Sequence, residues 1–146
     1  MSAEPLYHQA YSSPQSARNG RKLILSVDDE PGVLRARFLL LSAAGYAVLS
    51  TTDAANALQL FARYPVDLVL LDFMMPEIDG GLIAQAMKEY EPRVPIIMVT
   101  GVELSQESLA AVNRYLRKAQ DPDELLQAVQ DLIPSSIRTR FPTRPD

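Results

Sequence analysis

Short apolar runs alternate with longer segments of helical periodicity through the middle of the chain. Five runs have the length and aliphatic content of β-strands, whereas the segments between them repeat apolar residues every three or four positions. Strands that alternate with helices in this way form a parallel sheet with helices packed on its faces. The predicted strands are KLILSV at 22–27, YAVLST at 46–51, VDLVLL at 66–71, PIIMVT at 95–100 and RYLRK at 114–118.

The segments between the strands carry signals for the start and the end of helices. Pro31 suits a first helical turn and Gly45 suits a left-handed cap, so we expect the first helix between them. The other helices are expected at about 54–64, 81–90, 105–112 and 121–132, and the one at 105–112 is short. The inward face of the first helix is predicted to carry Val33, Leu34, Phe38 and Leu41.

The first, third and fourth strands are apolar at almost every position, which is typical of strands covered by helices on both faces. The predicted fold class is therefore α/β, with a doubly wound, five-stranded parallel sheet. Residues 1–21 and 134–146 have little to bury, and we expect a flexible N-terminal arm and a flexible C-terminal tail. The folded domain is expected at 22–133.

Length, charge and composition narrow the classes of function. A chain of 146 residues has room for one domain of this kind, so we expect no output domain beside it. A formal charge of -4, without a basic stripe on a predicted helix, argues against direct DNA binding. The chain lacks an apolar stretch of about 18 residues, which argues against a membrane span and favours a cytoplasmic protein. The absence of cysteine leaves oxygen ligands as the main route to a metal.

Polar residues stand where the predicted strands end. Asp28 and Asp29 follow the first strand, and Asp72 follows the third. Thr100 ends the fourth strand and Lys118 ends the fifth. Because the carboxyl ends of parallel strands meet at one edge of a sheet, where ligands bind in such folds, we expect these five side chains to lie close together.

This group of side chains has the chemistry of a phosphoryl-transfer site. Two carboxylates about 4 Å apart repel each other by roughly 4 kcal/mol at an effective dielectric near 20, so three of them favour a bound cation. Mg²⁺ prefers such oxygen ligands together with a phosphate. An aspartate can attack phosphorus, and Lys118 would then neutralise the phosphoryl oxygens. The Thr100 hydroxyl could donate a hydrogen bond to a phosphate on Asp72.

Simpler interpretations exist for each residue by itself. The acids at 28–30 could cap the first helix, and Asp72 could begin a turn. Thr100 could be a turn threonine, and Lys118 could be a solvated surface lysine. No GxxxxGK[ST] loop follows a strand, so ATP is not the expected phosphate donor.

The order of several short motifs resembles the receiver domain of two-component response regulators. The motifs are VDDEP at 27–31, LLDFMMPEIDG at 70–80, VTG at 99–101 and YLRK at 115–118, and the resemblance spans about residues 22–133. It implies a flavodoxin-like fold with strand order 2-1-3-4-5. It also implies that Asp72 accepts a phosphoryl group from the phosphohistidine of a partner kinase.

The same resemblance implies roles for further residues. Asp28, Asp29 and Asp72 would hold Mg²⁺ together with the backbone carbonyl of Met74. Thr100 and Tyr115 would rearrange on phosphorylation and reshape the face formed by the fourth helix, the fifth strand and the fifth helix.

The implied function is a stand-alone phosphoacceptor switch rather than a turnover enzyme. Its expected partners are a sensor histidine kinase or phosphotransfer protein and an unknown downstream protein, and the expected state is a monomer or weak homodimer. Met74 and Val102 would flank the phosphoryl group, and since neither side chain can orient a water molecule, we expect slow self-dephosphorylation.

Two other functions stay open. The family's lysine is usually followed by a cis proline, whereas Ala119 follows Lys118, so the loop is expected to be trans and differently shaped. Thr100 and Lys118 are also closer in sequence than the family norm, by about one helical turn. These departures favour a pseudo-receiver, a docking module that signals without phosphate. A haloacid-dehalogenase-like phosphohydrolase would need a second aspartate where Met74 stands.

Overall fold

The computed structural model describes residues 20–75, 78–103, 106, 110–118 and 121–135. The main sheet has five parallel strands in the order β2-β1-β3-β6-β7, which is the predicted order of the five main strands, and β4 pairs with β5 in a small antiparallel hairpin. The strands are β1 (Leu23–Val27), β2 (Ala47–Thr51), β3 (Leu68–Asp72), β4 (Met74–Met75), β5 (Ile78–Asp79), β6 (Ile96–Thr100) and β7 (Arg114–Arg117).

Helices with clear local signals connect the strands. Asp53, Asp79 and Asp121 occupy N-cap positions, and each carboxylate accepts a hydrogen bond from the backbone N–H two residues later. Gly45 has a φ of 100°, which confirms the left-handed turn after the first helix. The described helices are α1 (Pro31–Ala43), α2 (Ala54–Arg63), α3 (Gly80–Tyr90) and α4 (Pro122–Leu132).

The sheet separates two apolar cores, because successive side chains of a strand point to opposite faces. Leu71 of β3 belongs to the core beneath α2 and α3, and Leu70 belongs to the core beneath α1 and α4. The same alternation holds in β6, where Met98 joins the first core and Ile97 joins the second. The predicted doubly wound arrangement, with helices on both faces, is confirmed.

Several expectations lie outside the described residues. They concern the arm before residue 20, the tail after residue 135, the Ala119 peptide and most of the short helix expected at 105–112. Within the described ranges, no helix combines the length and the apolar character needed to span a membrane.

Candidate functional site

Three carboxylates converge at the carboxyl edge of the sheet. Oxygens of Asp28, Asp29 and Asp72 all lie within 4.8 Å of one another. Asp28 and Asp72 are fully buried, whereas Asp29 is half-buried. The topology causes this convergence, because β1 and β3 are neighbours in the sheet and end side by side. Such a set of oxygens suits a hard divalent cation.

Asp72 ends β3, the central strand of the sheet. Its Oδ1 accepts a hydrogen bond from the backbone N–H of Met74 at 3.1 Å, and its Oδ2 accepts one from Nζ of Lys118 at 3.0 Å. Burial raises the pKa of Asp72, the hydrogen bond from Lys118 opposes this effect, and the nearby charge of Asp28 adds to it. The carboxylate is held from both sides by these donors.

Lys118 follows β7 and reaches back to two of the carboxylates. Its Nζ lies 3.0 Å from Oδ2 of Asp72 and 3.3 Å from Oδ2 of Asp28. Its backbone N–H donates to the carbonyl of Thr100 at 2.9 Å, which continues the pairing of β6 and β7 beyond the strand end. Burial lowers the pKa of Lys118, but the two carboxylates outweigh burial, so the net change is upward. The solvated-lysine interpretation is therefore wrong.

The acids after β1 do not cap α1. Glu30 occupies the N-cap position, and its side chain makes no cap hydrogen bond. The backbone N–H of Glu30 instead donates to Oδ1 of Asp28 at 2.9 Å. This local turn directs the second oxygen of Asp28 toward Lys118, so the carboxylate belongs to the site and not to the helix end.

Arg37 is a member of this site that the sequence interpretation missed. It lies on α1 with its side chain 8% exposed, and its Nη1 is 3.5 Å from Oδ2 of Asp28. Burial lowers the pKa of Arg37, and the charge of Asp28 opposes this change. The signal was present, because Arg37 is three residues after Leu34 and four before Leu41, both inward-facing.

Thr100 and Tyr115 meet the loop that follows β6. The fully buried Thr100 accepts, through Oγ1, a hydrogen bond from the backbone N–H of Val102 at 3.2 Å. The half-buried Tyr115 donates its hydroxyl to the carbonyl of Val102 at 3.0 Å. The two predicted switch residues therefore hold the same loop residue.

A glycine supports the turn behind Asp72. A Cβ on Gly80 would lie 2.7 Å from Cα of Phe73 and 2.9 Å from the carbonyl oxygen of Asp72. The N–H of Gly80 also donates to the carbonyl of Phe73 at 3.2 Å. Met74 stands on this turn with 55% of its surface exposed, and its backbone N–H donates to Asp72. The start of α3 packs closely against this turn, and this packing fixes the direction of the backbone after Asp72.

Comparison with known families decides what this arrangement is. The model of the response regulator receiver domain family matches residues 24–130, which is most of the chain. The chain belongs to this family. As a receiver domain it is part of a two-component signalling system, and the resemblance found in the motifs is confirmed.

Solved receiver structures share this fold over nearly their whole length. The response regulator TrrA from Thermotoga maritima, in complex with Mg²⁺-BeF, is 32% identical, with a TM-score of 0.73 over 77% of this chain and 99% of that one. A CheY-like receiver domain from Methanospirillum hungatei is 27% identical, with a TM-score of 0.72 over 75% of this chain and 91% of that one.

Curated relatives are longer than the matched region. The transcriptional regulatory protein GlrR of Escherichia coli is 33% identical over 77% of this chain, which spans 26% of GlrR. The probable transcriptional regulator ycf27 of Cyanophora paradoxa is 35% identical over 84% of this chain and 52% of that protein. This receiver domain therefore spans between about a quarter and a half of such relatives.

Proposed function

We propose that this receiver domain is a phosphoacceptor switch in which Asp72 takes a phosphoryl group from the phosphohistidine of a sensor histidine kinase or a phosphotransfer protein. The proposal rests on the environment of Asp72. Its carboxylate is fully buried, lies beside two further carboxylates and receives a hydrogen bond from Lys118 at 3.0 Å. A structural aspartate at a strand end needs no such arrangement of charges.

The proposed step is a displacement at phosphorus. One oxygen of Asp72 forms a bond to phosphorus while the bond from phosphorus to the imidazole nitrogen of the donor breaks, and that nitrogen keeps the electron pair. Lys118, already on Asp72 at 3.0 Å, is placed to neutralise phosphoryl oxygens as they gain charge. The product is an aspartyl phosphate on this chain and a histidine on the partner.

The donor set fits Mg²⁺. Asp28, Asp29 and Asp72 supply hard oxygen ligands within 4.8 Å of one another, and we propose the Met74 carbonyl as a further ligand. When bound, the ion would offset the negative charge of the carboxylates and the phosphate. Under this proposal Asp28 and Asp29 hold the ion, and Asp72 also carries the reaction.

Thr100 and Tyr115 are proposed to convert the phosphate into a signal. A phosphate on Asp72 offers acceptors for the Thr100 hydroxyl, which now accepts a bond from Val102. Movement of that loop would break the bond from Tyr115 to the Val102 carbonyl. We propose that the altered surface is read by a downstream protein. Four further expectations stay predictions. They are the absence of direct DNA binding by this domain, a monomeric or weakly homodimeric state, slow self-dephosphorylation and a cytoplasmic location.

The test is covalent labelling of Asp72. The chain is incubated with Mg²⁺ and acetyl phosphate, and the intact mass is measured. We expect one phosphoryl adduct on the unaltered chain and none on Asp72→Asn. Asp53→Asn is the matched control, because Asp53 caps α2 and asparagine caps a helix equally well. That variant should be labelled like the unaltered chain.

The outcomes of this experiment distinguish the phosphoacceptor switch from the pseudo-receiver docking module. Labelling that requires both Asp72 and Mg²⁺ supports the phosphoacceptor switch. If the chain gains no adduct under conditions that label another receiver domain, the pseudo-receiver docking module becomes the better account. Equal labelling of Asp72→Asn would also contradict the proposal, because the phosphate would then reside on another residue.

A further inference from the structure

Arg37 places a permanent positive charge against the acidic site from inside the domain. Its Nη1 is 3.5 Å from Oδ2 of Asp28, and the Asp28 side chain is fully buried. Neither of these two atoms has a hydrogen-bond partner among the described residues. The two atoms form an ion pair without a close hydrogen bond, which needs an explanation because native proteins hydrogen-bond most buried polar atoms.

Arg37 contributes to the balance of charge around Asp28. Three carboxylates converge there, and Lys118 is shared between Asp28 and Asp72. Arg37 contributes a second cation, and its guanidinium keeps its charge at any ordinary pH. The contact of Arg37 with Asp28 comes from α1, whereas Lys118 approaches from the β7 side. Each cation therefore neutralises Asp28 from a different direction.

We infer that Arg37 competes with the divalent ion for the carboxylate of Asp28, so that this site binds Mg²⁺ more weakly than the same site with an uncharged side chain at position 37. A neighbouring positive charge repels the ion and also lowers the negative charge that attracts it. In exchange, Arg37 lowers the energetic cost of burying Asp28 when the ion is absent. The domain keeps its acidic site folded with less dependence on the metal.

The inference rests on the proposed magnesium site but is measured without phosphorylation. Mg²⁺ affinity is determined by isothermal titration calorimetry, with no phosphate donor, on four forms of the chain. They are the unaltered chain, Arg37→Met, Arg37→Lys and Arg35→Met. Methionine at position 37 keeps an apolar side chain of similar length and removes the charge. Arg35 is exposed on the same helix and provides the matched control.

We expect Arg37→Met to bind Mg²⁺ at least about tenfold more tightly than the unaltered chain. Arg35→Met should bind within about twofold of the unaltered affinity, because an exposed charge on that helix is screened by solvent. Arg37→Lys keeps the charge and should stay close to the unaltered value. If Arg37 only filled space, Arg37→Met would fill the same space and would show neither a gain in affinity nor a change in stability. Equal or weaker binding by Arg37→Met would overturn the inference.

Folding of the variant is measured together with binding. If Arg37→Met is unfolded without metal, circular dichroism follows its folding as Mg²⁺ is added. Folding at Mg²⁺ concentrations below the Kd of the unaltered chain supports the inference. Failure to fold even when Mg²⁺ is far above that Kd overturns it.

The labelling experiment on Asp72 distinguishes this inference from the proposed function. If the unaltered chain is labelled and Arg37→Met binds Mg²⁺ no more tightly, only the role of Arg37 fails. If the unaltered chain is not labelled at saturating Mg²⁺ and Arg37→Met binds more tightly, the phosphoacceptor function fails and the role of Arg37 stands. If neither form binds Mg²⁺, the role of Arg37 is overturned together with the metal site.

Discussion

Polar groups at the two ends of the sheet differ in how they are paired. At the amino end, Asp67 accepts the N–H of Leu23 at 2.7 Å, and the hydroxyl of Tyr46 donates to the carbonyl of Ile133 at 2.7 Å. At the carboxyl end, Oδ2 of Asp28 has ion pairs but no hydrogen-bond partner among the described residues. The contacts at the amino end stabilise the fold, whereas the carboxyl end keeps charged groups that can bind a ligand.

This difference indicates that the amino ends of the strands contribute mainly to stability, whereas their carboxyl ends form the candidate site. The two hydrogen bonds described at the amino end each join a donor to an acceptor, which favours the folded state. The carboxyl end brings like charges together, which opposes folding unless cations are present. Substitutions at the two ends should therefore have effects of different kinds.

The largest effect is expected from Gly80→Ala, which forces the turn behind Asp72 to move. The new Cβ would meet backbone atoms of Phe73 and Asp72 at 2.7 and 2.9 Å, and backbone cannot yield as a side chain can. We expect a loss of about 3 kcal/mol in the free energy of unfolding, measured by urea denaturation. Labelling of Asp72 by acetyl phosphate should fall as well.

Gly32→Ala is the matched control for that substitution. A Cβ on Gly32 meets nothing within 4 Å, and Gly32 lies exposed on α1. Alanine there should be neutral or stabilise by up to about 1 kcal/mol, through helix propensity. If Gly80→Ala matched Gly32→Ala in stability and labelling, the close packing of α3 against the turn would have no importance.

The next effect concerns Tyr46 at the amino end and appears only in alkaline solution. Burial raises the pKa of Tyr46 from 10.0 to about 12. Between these values the unfolded chain loses a proton that the folded chain keeps, so stability falls as the pH rises. Two pKa units correspond to a loss of about 3 kcal/mol, complete near pH 12, with no contribution from ionisation below pH 10.

Tyr46→Phe isolates this contribution. At neutral pH it should cost about 1 kcal/mol, since the carbonyl of Ile133 loses its donor. Above pH 10 its stability should fall less steeply than that of the unaltered chain, as measured by urea denaturation at a series of pH values. Parallel curves for the two proteins would show that Tyr46 ionises equally in both states.

The smallest effect is expected when an aspartate at each end of the sheet is replaced by asparagine. Asp72→Asn removes one of two carboxylates that share Lys118, so the metal-free fold should gain on the order of 1 kcal/mol. Asp67→Asn weakens a charge-assisted hydrogen bond to Leu23 and should lose about 1 kcal/mol. Thermal unfolding in EDTA measures both. Changes of equal sign would remove the distinction between the ends.

The sequence was sufficient for the fold because the pattern of each segment agrees with its place. The apolar strands and the cap at Gly45 are local signals, and tertiary structure did not override them. The convergence of Asp28, Asp29 and Asp72 followed from one topological rule about strand ends. The roles assigned to these residues stay proposals until Asp72 is labelled.

The sequence interpretation missed two features of the site, for different reasons. Arg37 occupies an inward position of α1, but a charged residue is usually assigned to the surface, and nearby carboxylates, Asp28 above all, make its burial tolerable. Gly80 and Gly81 are equivalent in the sequence, and the need for a missing Cβ at Gly80 arises from backbone distant from its own helix. Periodicity indicates the inward position of Arg37 but not its charge partner, and it does not encode the packing around Gly80.

The position of β3 has a mechanical consequence. β3 is hydrogen-bonded to β1 on one side and to β6 on the other, so Asp72 ends a strand that is held along both edges. Lys118 follows β7, an edge strand held by β6 alone. When the charge on Asp72 changes, the resulting displacement should occur in the edge strand and its loops, while the acceptor itself stays stationary.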